Sequence, residues 1–153
     1  MGTVIAIFSD VHGNLPALEA VLADIQGQGV AAVYHLGDLV GYNPWPNEAA
    51  ARVQEAGIPG VIGNYDLAVV ADADDAAARY LNPAISKKAL EIFHWTKAKL
   101  NPATREYLKS LPDRLSLEMA GWRLFLTHGS PRSIREYLRP DRKSTRLNSS
   151  HSS

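Results

Sequence analysis

Most of the residues in this chain that could do chemistry sit in four short polar clusters, each directly behind an apolar run. They are Ser9-Asp10-Val11-His12-Gly13-Asn14 after Val4–Phe8, Gly37-Asp38 after Ala32–Leu36, Gly63-Asn64-Tyr65-Asp66 after Gly60–Ile62, and His128-Gly129-Ser130 after Trp122–Thr127. Carboxylate, imidazole and amide oxygen are ligands for divalent first-row cations. Two such cations about 3.5–4 Å apart can clamp the attacking and leaving oxygens of an in-line phosphoryl displacement. A pair of that kind needs one bridging carboxylate, with neutral imidazoles and amides that leave the cations free to attract phosphate. Asp38 is the natural bridge, with Asp10 and His12 on one metal and Asn64 and His128 on the other. Residues two apart on a strand exit point the same way, so Asp10 and His12 are expected to grip one cation.

Taken singly, each residue has a plain structural use. Asp10 and the Gly37-Asp38 pair suit turns, Asn64 tolerates a positive φ, and His12 and His128 could be an ordinary loop residue and a core-edge residue. What points to a metal centre is the ordered set, each member at a strand end. In an open α/β sheet such loops converge on one crevice.

The elements that must position them are readable from apolar periodicity. Thr3–Phe8 and Ala31–Leu36 are short β-branched runs of the kind found in buried parallel strands, and Ile58–Ile62 predicts a third. Between the first two, Asn14 caps a helix with Pro16 in its first turn and Leu15, Leu18, Leu22 and Ile25 at helical spacing; Gly27 and Gly29 stop it. After Pro44 and Pro46, Asn47 is expected to cap a helix reaching about Glu55. The order β-α-β-α-β favours a parallel sheet with right-handed crossovers. Asn82-Pro83 and Asn101-Pro102 predict two further helices, the first running to about Leu100 and burying Ile85, Ala89, Ile92 and Thr96, the second ending near Leu111-Pro112. Alternation in Arg114–Met119 and again in Trp122–Thr127, around Ala120-Gly121, predicts a β-hairpin.

Composition narrows the class. With 153 residues, 46% hydrophobic and 21% charged, the chain is one ordinary globular domain. Zero net charge offers neither a nucleic-acid footprint nor a membrane-surface patch. The absence of cysteine excludes disulfides, thiolate zinc sites and a cysteine nucleophile. With no long apolar run and no secretory leader pattern, a cytoplasmic location is the expectation. Residues 141–153 (DRKSTRLNSSHSS) carry one large apolar residue, Leu147, and cannot bury enough surface to order themselves. That stretch resembles translated sequencing-adapter read-through, so the expectation is a domain over 1–140 and a foreign tail over 141–153.

The motifs D-x-H-G-N, G-D-x-x-G-Y, G-N-x-D and H-G, in this order and at these intervals, resemble the calcineurin-like metallophosphoesterases, and most nearly their small bacterial members. The likeness covers Met1 to about Pro140. It implies an α/β fold of two packed β-sheets flanked by helices, and two divalent metals (manganese, iron, zinc or nickel, sometimes magnesium) on Asp10, His12, Asp38, Asn64 and His128. A hydroxide bridging the metals would attack phosphorus in line, on a small phosphoester that could be a small nucleotide. Asn64, Tyr65 and Asp66 stand where the family's catalytic segment lies. Many members carry histidine after G-N to handle the leaving group. Here Tyr65, a poorer acid, tilts the expectation toward phosphodiesters or activated monoesters, with Asp66 orienting Tyr65 or a water. Tyr42 or Trp45 could stack on a substrate ring or simply pack.

The family's final Gly-His-x-His, one histidine per metal, does not occur in this sequence; His151 lies in the tail, and His35 and His94 read as strand and helix residues. The expectations are therefore an incomplete second sheet and a C-terminally truncated domain that is weakly active and marginally stable as written. The competing reading is a non-catalytic fragment that binds metal or phosphate weakly. A haloacid-dehalogenase-type phosphatase needs Asp at position 12, and a dinucleotide-binding domain needs G-x-G-x-x-G after the first strand; neither is present.

Overall fold

The computed structural model describes residues 3–71 and 87–136. Asn82-Pro83, Ile85 and the segment 141–153 lie outside that range. Strand β1 (Ile5–Phe8) leads into helix α1 (Leu15–Gly27), and strand β2 (Ala32–His35) into helix α2 (Pro46–Glu55). Then come α3 (Asn64–Val70), α4 (Lys87–Lys99), α5 (Pro102–Ser110) and the strands β3 (Arg114–Met119) and β4 (Trp122–Thr127).

β1 and β2 pair in parallel, Ile5 opposite Ala32 through Phe8 opposite His35. The third parallel strand expected over Ile58–Ile62 contracts to a single bridge between His35 and Gly60. The local chemistry explains this. Pro59 has no N–H to give a ladder, and the N–H of Ile62 donates instead to the carbonyl of Pro112 at 2.9 Å. That bond fixes the segment entering the hairpin, whose strands pair antiparallel from Arg114–Thr127 to Met119–Trp122 as the alternation predicts. Among the described residues each sheet has two strands.

Two helix starts follow their sequence signals. Asn14 Oδ1 accepts from the N–H of Ala17 (3.2 Å), and Asn101 Oδ1 from that of Thr104 (2.7 Å). Asn47 does not cap α2. The cap falls two residues earlier, at Trp45, which makes no side-chain capping bond, with Pro46 at N1. Asn47 instead donates through Nδ2 to the carbonyl of Lys99 (3.0 Å) and accepts through Oδ1 from the N–H of Asn101 (2.9 Å), pinning the α4–α5 junction to α2.

The core lies between the parallel pair and the helices. Leu18 and Leu22 of α1, Ala49, Ala50 and Val53 of α2, Ala68 and Val69 of α3, Phe93 of α4 and Leu108 of α5 are all buried in one cluster. On α4, Thr96 is buried as expected and Ala89 and Ile92 are half-buried; Phe93 is the deep anchor. No helix of the described residues is long and apolar enough to cross a membrane.

Candidate metal centre

Alternation along a strand is not what brings Asp10 and His12 together. Both sit in the left-handed region, at φ 57° and 49°, as do Asp38 (54°) and Tyr42 (57°). The loop after β1 is stitched to the loop after β2 by backbone bonds that continue the parallel ladder past the strands. Asp10 N–H donates to Gly37 O (3.0 Å), His12 N–H to Asp38 O (2.8 Å) and Gly13 N–H to Leu39 O (2.8 Å). The third segment comes in against Gly37 and Gly63, where no side chain fits. A Cβ on Gly37 would lie 2.2 Å from Gly63 N, and one on Gly63 would lie 2.0 Å from Asp38 Oδ1. The closeness of these backbones sets Asp38 beside Asn64.

The structure collects Asp10, His12, Asp38, Asn64 and His128 at one edge. One ligand atom from each of Asp10, His12 and Asp38 lies within 4.8 Å of the others. His12 Nδ1 donates to the carbonyl of Val40 (3.1 Å), which leaves the Nε2 lone pair facing Asp10 Oδ1 at 3.6 Å and Asp38 Oδ2 at 3.7 Å. His128 repeats the device. Its Nδ1 donates to the carbonyl of Leu36 (2.7 Å), and Nε2 faces Asp38 Oδ2 at 3.6 Å and Asn64 Oδ1 at 2.8 Å. In neutral rings, both Nε2 atoms point lone pairs at oxygens that are themselves acceptors. Nitrogen and oxygen donors converging in this way suit divalent cations, and the carbonyls behind the rings are the outer supports that fix a ligating histidine. The donor set therefore fits the metals that the sequence implies.

The electrostatics agree with a cation site. His12 beside it holds the Asp10 carboxyl down at about 2, against its partial burial. Burial alone would lower the His12 pKa, but Asp10, Asp38 and the Val40 carbonyl outweigh it and raise it. Burial pushes the Asp38 carboxyl up, while His128, His12 and the Tyr65 amide pull it back.

The cluster Asn64-Tyr65-Asp66 does not act together on the site. It forms the first turn of α3, and successive residues on a helix turn by about 100°. Asn64 faces His128. Tyr65 points into the core, only 2% exposed, edge-on to His12 (ring centroids 5.7 Å apart) and to Phe93 (5.8 Å). Its hydroxyl lies near Thr96, whose own hydroxyl is committed to the Ile92 carbonyl (2.9 Å), and it finds no hydrogen-bond partner among the described residues. Burial pushes this phenol up to about 12. The leaving-group role expected of Tyr65 is corrected accordingly. What Tyr65 gives the site is its backbone N–H, which donates to Asp38 Oδ1 at 2.8 Å.

Asp66 is fully buried and accepts from the N–H groups of Leu39 (3.2 Å), Val40 (3.1 Å) and Gly63 (3.2 Å). Rather than orienting Tyr65 or a water, it clamps the β2 loop to the start of α3. Tyr42 is 49% exposed and stands edge-on to His12 at 4.7 Å, at the mouth of the site, while Trp45 is exposed beside the start of α2. His94 is exposed on α4, and His35 is fully buried in β2. Sequence reasoning missed the carbonyls of Leu36 and Val40, which carry no side-chain signal, and the loop after His128, where Ser130, Arg132 and Glu136 bond to one another.

Known proteins place this arrangement. The family model of the calcineurin-like phosphoesterase superfamily domain matches residues 4–152. An uncharacterized protein of Methanocaldococcus jannaschii is 32% identical over 149 residues, covering 91% of this chain and 55% of that one. A metallophosphoesterase from Sphaerobacter thermophilus is similar in structure with a TM-score of 0.64 and 36% identity, over 88% of this chain and 50% of the other. A hypothetical protein from Pyrococcus horikoshii gives a TM-score of 0.76 at 26% identity, over 91% and 61%. The chain thus spans between half and three-fifths of the length of these relatives. With the family model matched along nearly all of the sequence, and the donors gathered at one edge, this chain belongs to the calcineurin-like phosphoesterase superfamily.

Proposed function

We propose that this chain carries the metal-binding part of a phosphoester hydrolase that uses two divalent cations on small phosphodiesters or activated monoesters. The observation that carries the reading is the pair of imidazoles, each locked by a backbone carbonyl so that its Nε2 faces the same Asp38 oxygen. Asp38 would hold both cations, Asp10 and His12 one of them, Asn64 and His128 the other. When bound, such cations polarise the phosphoryl oxygens and lower the pKa of the water that attacks phosphorus. The residues of this chain do the rest by position. The Tyr65 amide orients Asp38, Asp66 holds the loops at their spacing, and the Val40 and Leu36 carbonyls keep the rings in one tautomer. With the Tyr65 hydroxyl withdrawn into the core, no described side chain is set to protonate a leaving group, which favours esters whose leaving groups need no acid. A cysteine-free chain makes no demand on an oxidising compartment, and we place its work in the cytoplasm.

The test is hydrolysis of bis-p-nitrophenyl phosphate and p-nitrophenyl phosphate with and without Mn²⁺, by the chain and by its full-length gene product. Metal-dependent turnover abolished by Asp38→Asn is expected. Turnover that persists in chelator, or that Asp38→Asn leaves intact, would overturn the reading. One observation favours a second reading for the 153 residues alone: the chain spans about half of its relatives. On that reading it binds metal and phosphate without turnover, and the same assay with metal analysis separates the two.

A further inference from the structure

Two arginines follow His128 in one loop, and the loop neutralises only one of them. Arg132 donates through Nη2 to Glu136 Oε1 (2.6 Å) and through Nε to Oε2 (3.2 Å). The Ser130 hydroxyl donates to the same carboxylate and accepts from the N–H groups of Arg132 (3.1 Å) and Ser133 (3.2 Å). Ser130 and Ser133 also exchange two backbone bonds, at 3.0 and 3.2 Å. Gly129, at φ 96°, passes so close to the carbonyls of Ser133 and Ile134 that a Cβ there would sit 2.7 Å from both oxygens. This knot leaves the loop backbone little freedom, so the fold fixes where the exposed Arg135 side chain leaves the main chain. Its N–H is held by Ser133 Oγ at 3.2 Å.

The Arg135 side chain has no hydrogen-bond or ion-pair partner among the described residues. It lines a cavity of about 250 Å³ together with Ser9, Asp10, Asn64, His128 and Glu136, whose carboxylate Arg132 already holds, and is the one arginine or lysine among the described lining residues. It is not there to balance Asp10, whose carboxylate already accepts from the Ser9 hydroxyl (2.6 Å) and faces His12 (3.6 Å). With two divalent cations bound, the carboxylates of Asp10 and Asp38 leave the centre positive before Arg135 is counted. A further guanidinium at such a centre is matched better by a dianionic ligand than by a monoanionic one.

We propose that Arg135 is a specificity-determining residue, its planar guanidinium taking non-bridging oxygens of a dianionic phosphomonoester, or of phosphate itself, beside the metal centre. The proposal rests on the phosphoesterase reading and refines it: the site prefers dianionic monoesters with good leaving groups over monoanionic diesters.

The experiment compares p-nitrophenyl phosphate with bis-p-nitrophenyl phosphate on the Mn²⁺-loaded full-length protein, with folding of each variant checked by circular dichroism. Arg135→Met should raise KM for the monoester about tenfold and for the diester less than about twofold, the loss of one charge-assisted contact made by the dianion alone. Arg135→Lys should recover part of the monoester KM, and Arg123→Met, on the exposed hairpin, should change neither. Equal effects on both esters, no effect, or a lysine no better than methionine would overturn the assignment. Inorganic phosphate binding by calorimetry gives a readout independent of turnover. If the wild type hydrolyses neither ester, the phosphoesterase reading fails by itself. Phosphate affinity weakened about tenfold in Arg135→Met would still support the anion contact, and unchanged affinity would remove it.

Discussion

His35 should make the stability of this protein fall in mildly acid solution. The ring is fully buried in β2, tilted against Phe8, with Nδ1 accepting the N–H of Gly37 (3.3 Å) and Nε2 unpartnered among the described residues. It is also hemmed in: a Cβ on Gly60 would lie 2.3 Å from its Cδ2. Burial pulls its pKa from 6.5 down to about 4. Between those values the unfolded chain takes up a proton that the folded chain refuses. The contribution is therefore fully present above about pH 7 and is lost as pH falls through the interval. The whole interval corresponds to about 3 kcal/mol, of which about 2 kcal/mol should be gone by about pH 5. The assay is urea unfolding across that range in chelator, for wild type and His35→Leu. Because His12 titrates in the opposite sense, the quantity to read is the difference between the two proteins. At neutral pH the variant should be less stable, having lost the acceptor for Gly37, and the gap should narrow on acidification. A gap that stays constant from neutral pH to about pH 5 would refute the reasoning.

Asp38→Asn should remove metal-dependent hydrolysis and drop bound metal below two per chain, since an amide lacks the charge that joins two cations; metal analysis after gel filtration reads it. Gly63→Ala should cost about 1–3 kcal/mol and weaken metal retention, because its Cβ would have to displace Asp38 from 2.0 Å. Gly27→Ala, with nothing within 4 Å of the new methyl at the end of α1, should be neutral or stabilise by up to about 1 kcal/mol. Chemical denaturation of both reads the contrast, and equal effects would show that the approach of Gly63 to Asp38 is not tight. Tyr65→Phe should leave turnover unchanged and stability equal or higher by about 1 kcal/mol, since the hydroxyl it removes is buried without a partner. A loss of more than about tenfold on esters with poor leaving groups would return the phenol to a role in the chemistry.

Much of this architecture is legible in the sequence because local chemistry and final structure agree. Asn14 and Asn101 cap the helices their positions announce, and the alternation around Ala120-Gly121 gives the hairpin its register. The four polar clusters stand out because each interrupts an apolar run. What is not legible depends on partners far along the chain. Asn47 looks like a cap until the carbonyl of Lys99 and the amide of Asn101 arrive beside it. The strand at Ile58–Ile62 fails because the N–H of Ile62 goes to Pro112. Tyr65 and Asp66 read as site residues while Gly63–Asp66 is taken for a loop. Once those positions wind into α3, helix geometry sends them to the core and to the β2 loop.

The left-handed residues around the centre tie the protein's capacity to improve to the residues it needs. Asp10, His12, Asp38 and Tyr42 are all non-glycine residues at positive φ, a conformation costing of order 1–3 kcal/mol each where it is unfavourable. A selection for thermal robustness would be drawn to these positions, since glycine relieves the backbone at every one of them. At 10, 12 and 38 the relief removes a donor of the site, so hardier variants would come at the expense of metal. Tyr42 is different, because it offers the metals no donor: its ring stands edge-on to His12 and packs against the Tyr65 ring at 5.0 Å. Relief of the backbone at Tyr42 is set against the loss of those ring contacts but removes no metal donor, so among these four it is the position where directed evolution can exchange one stability term for another and keep the metals.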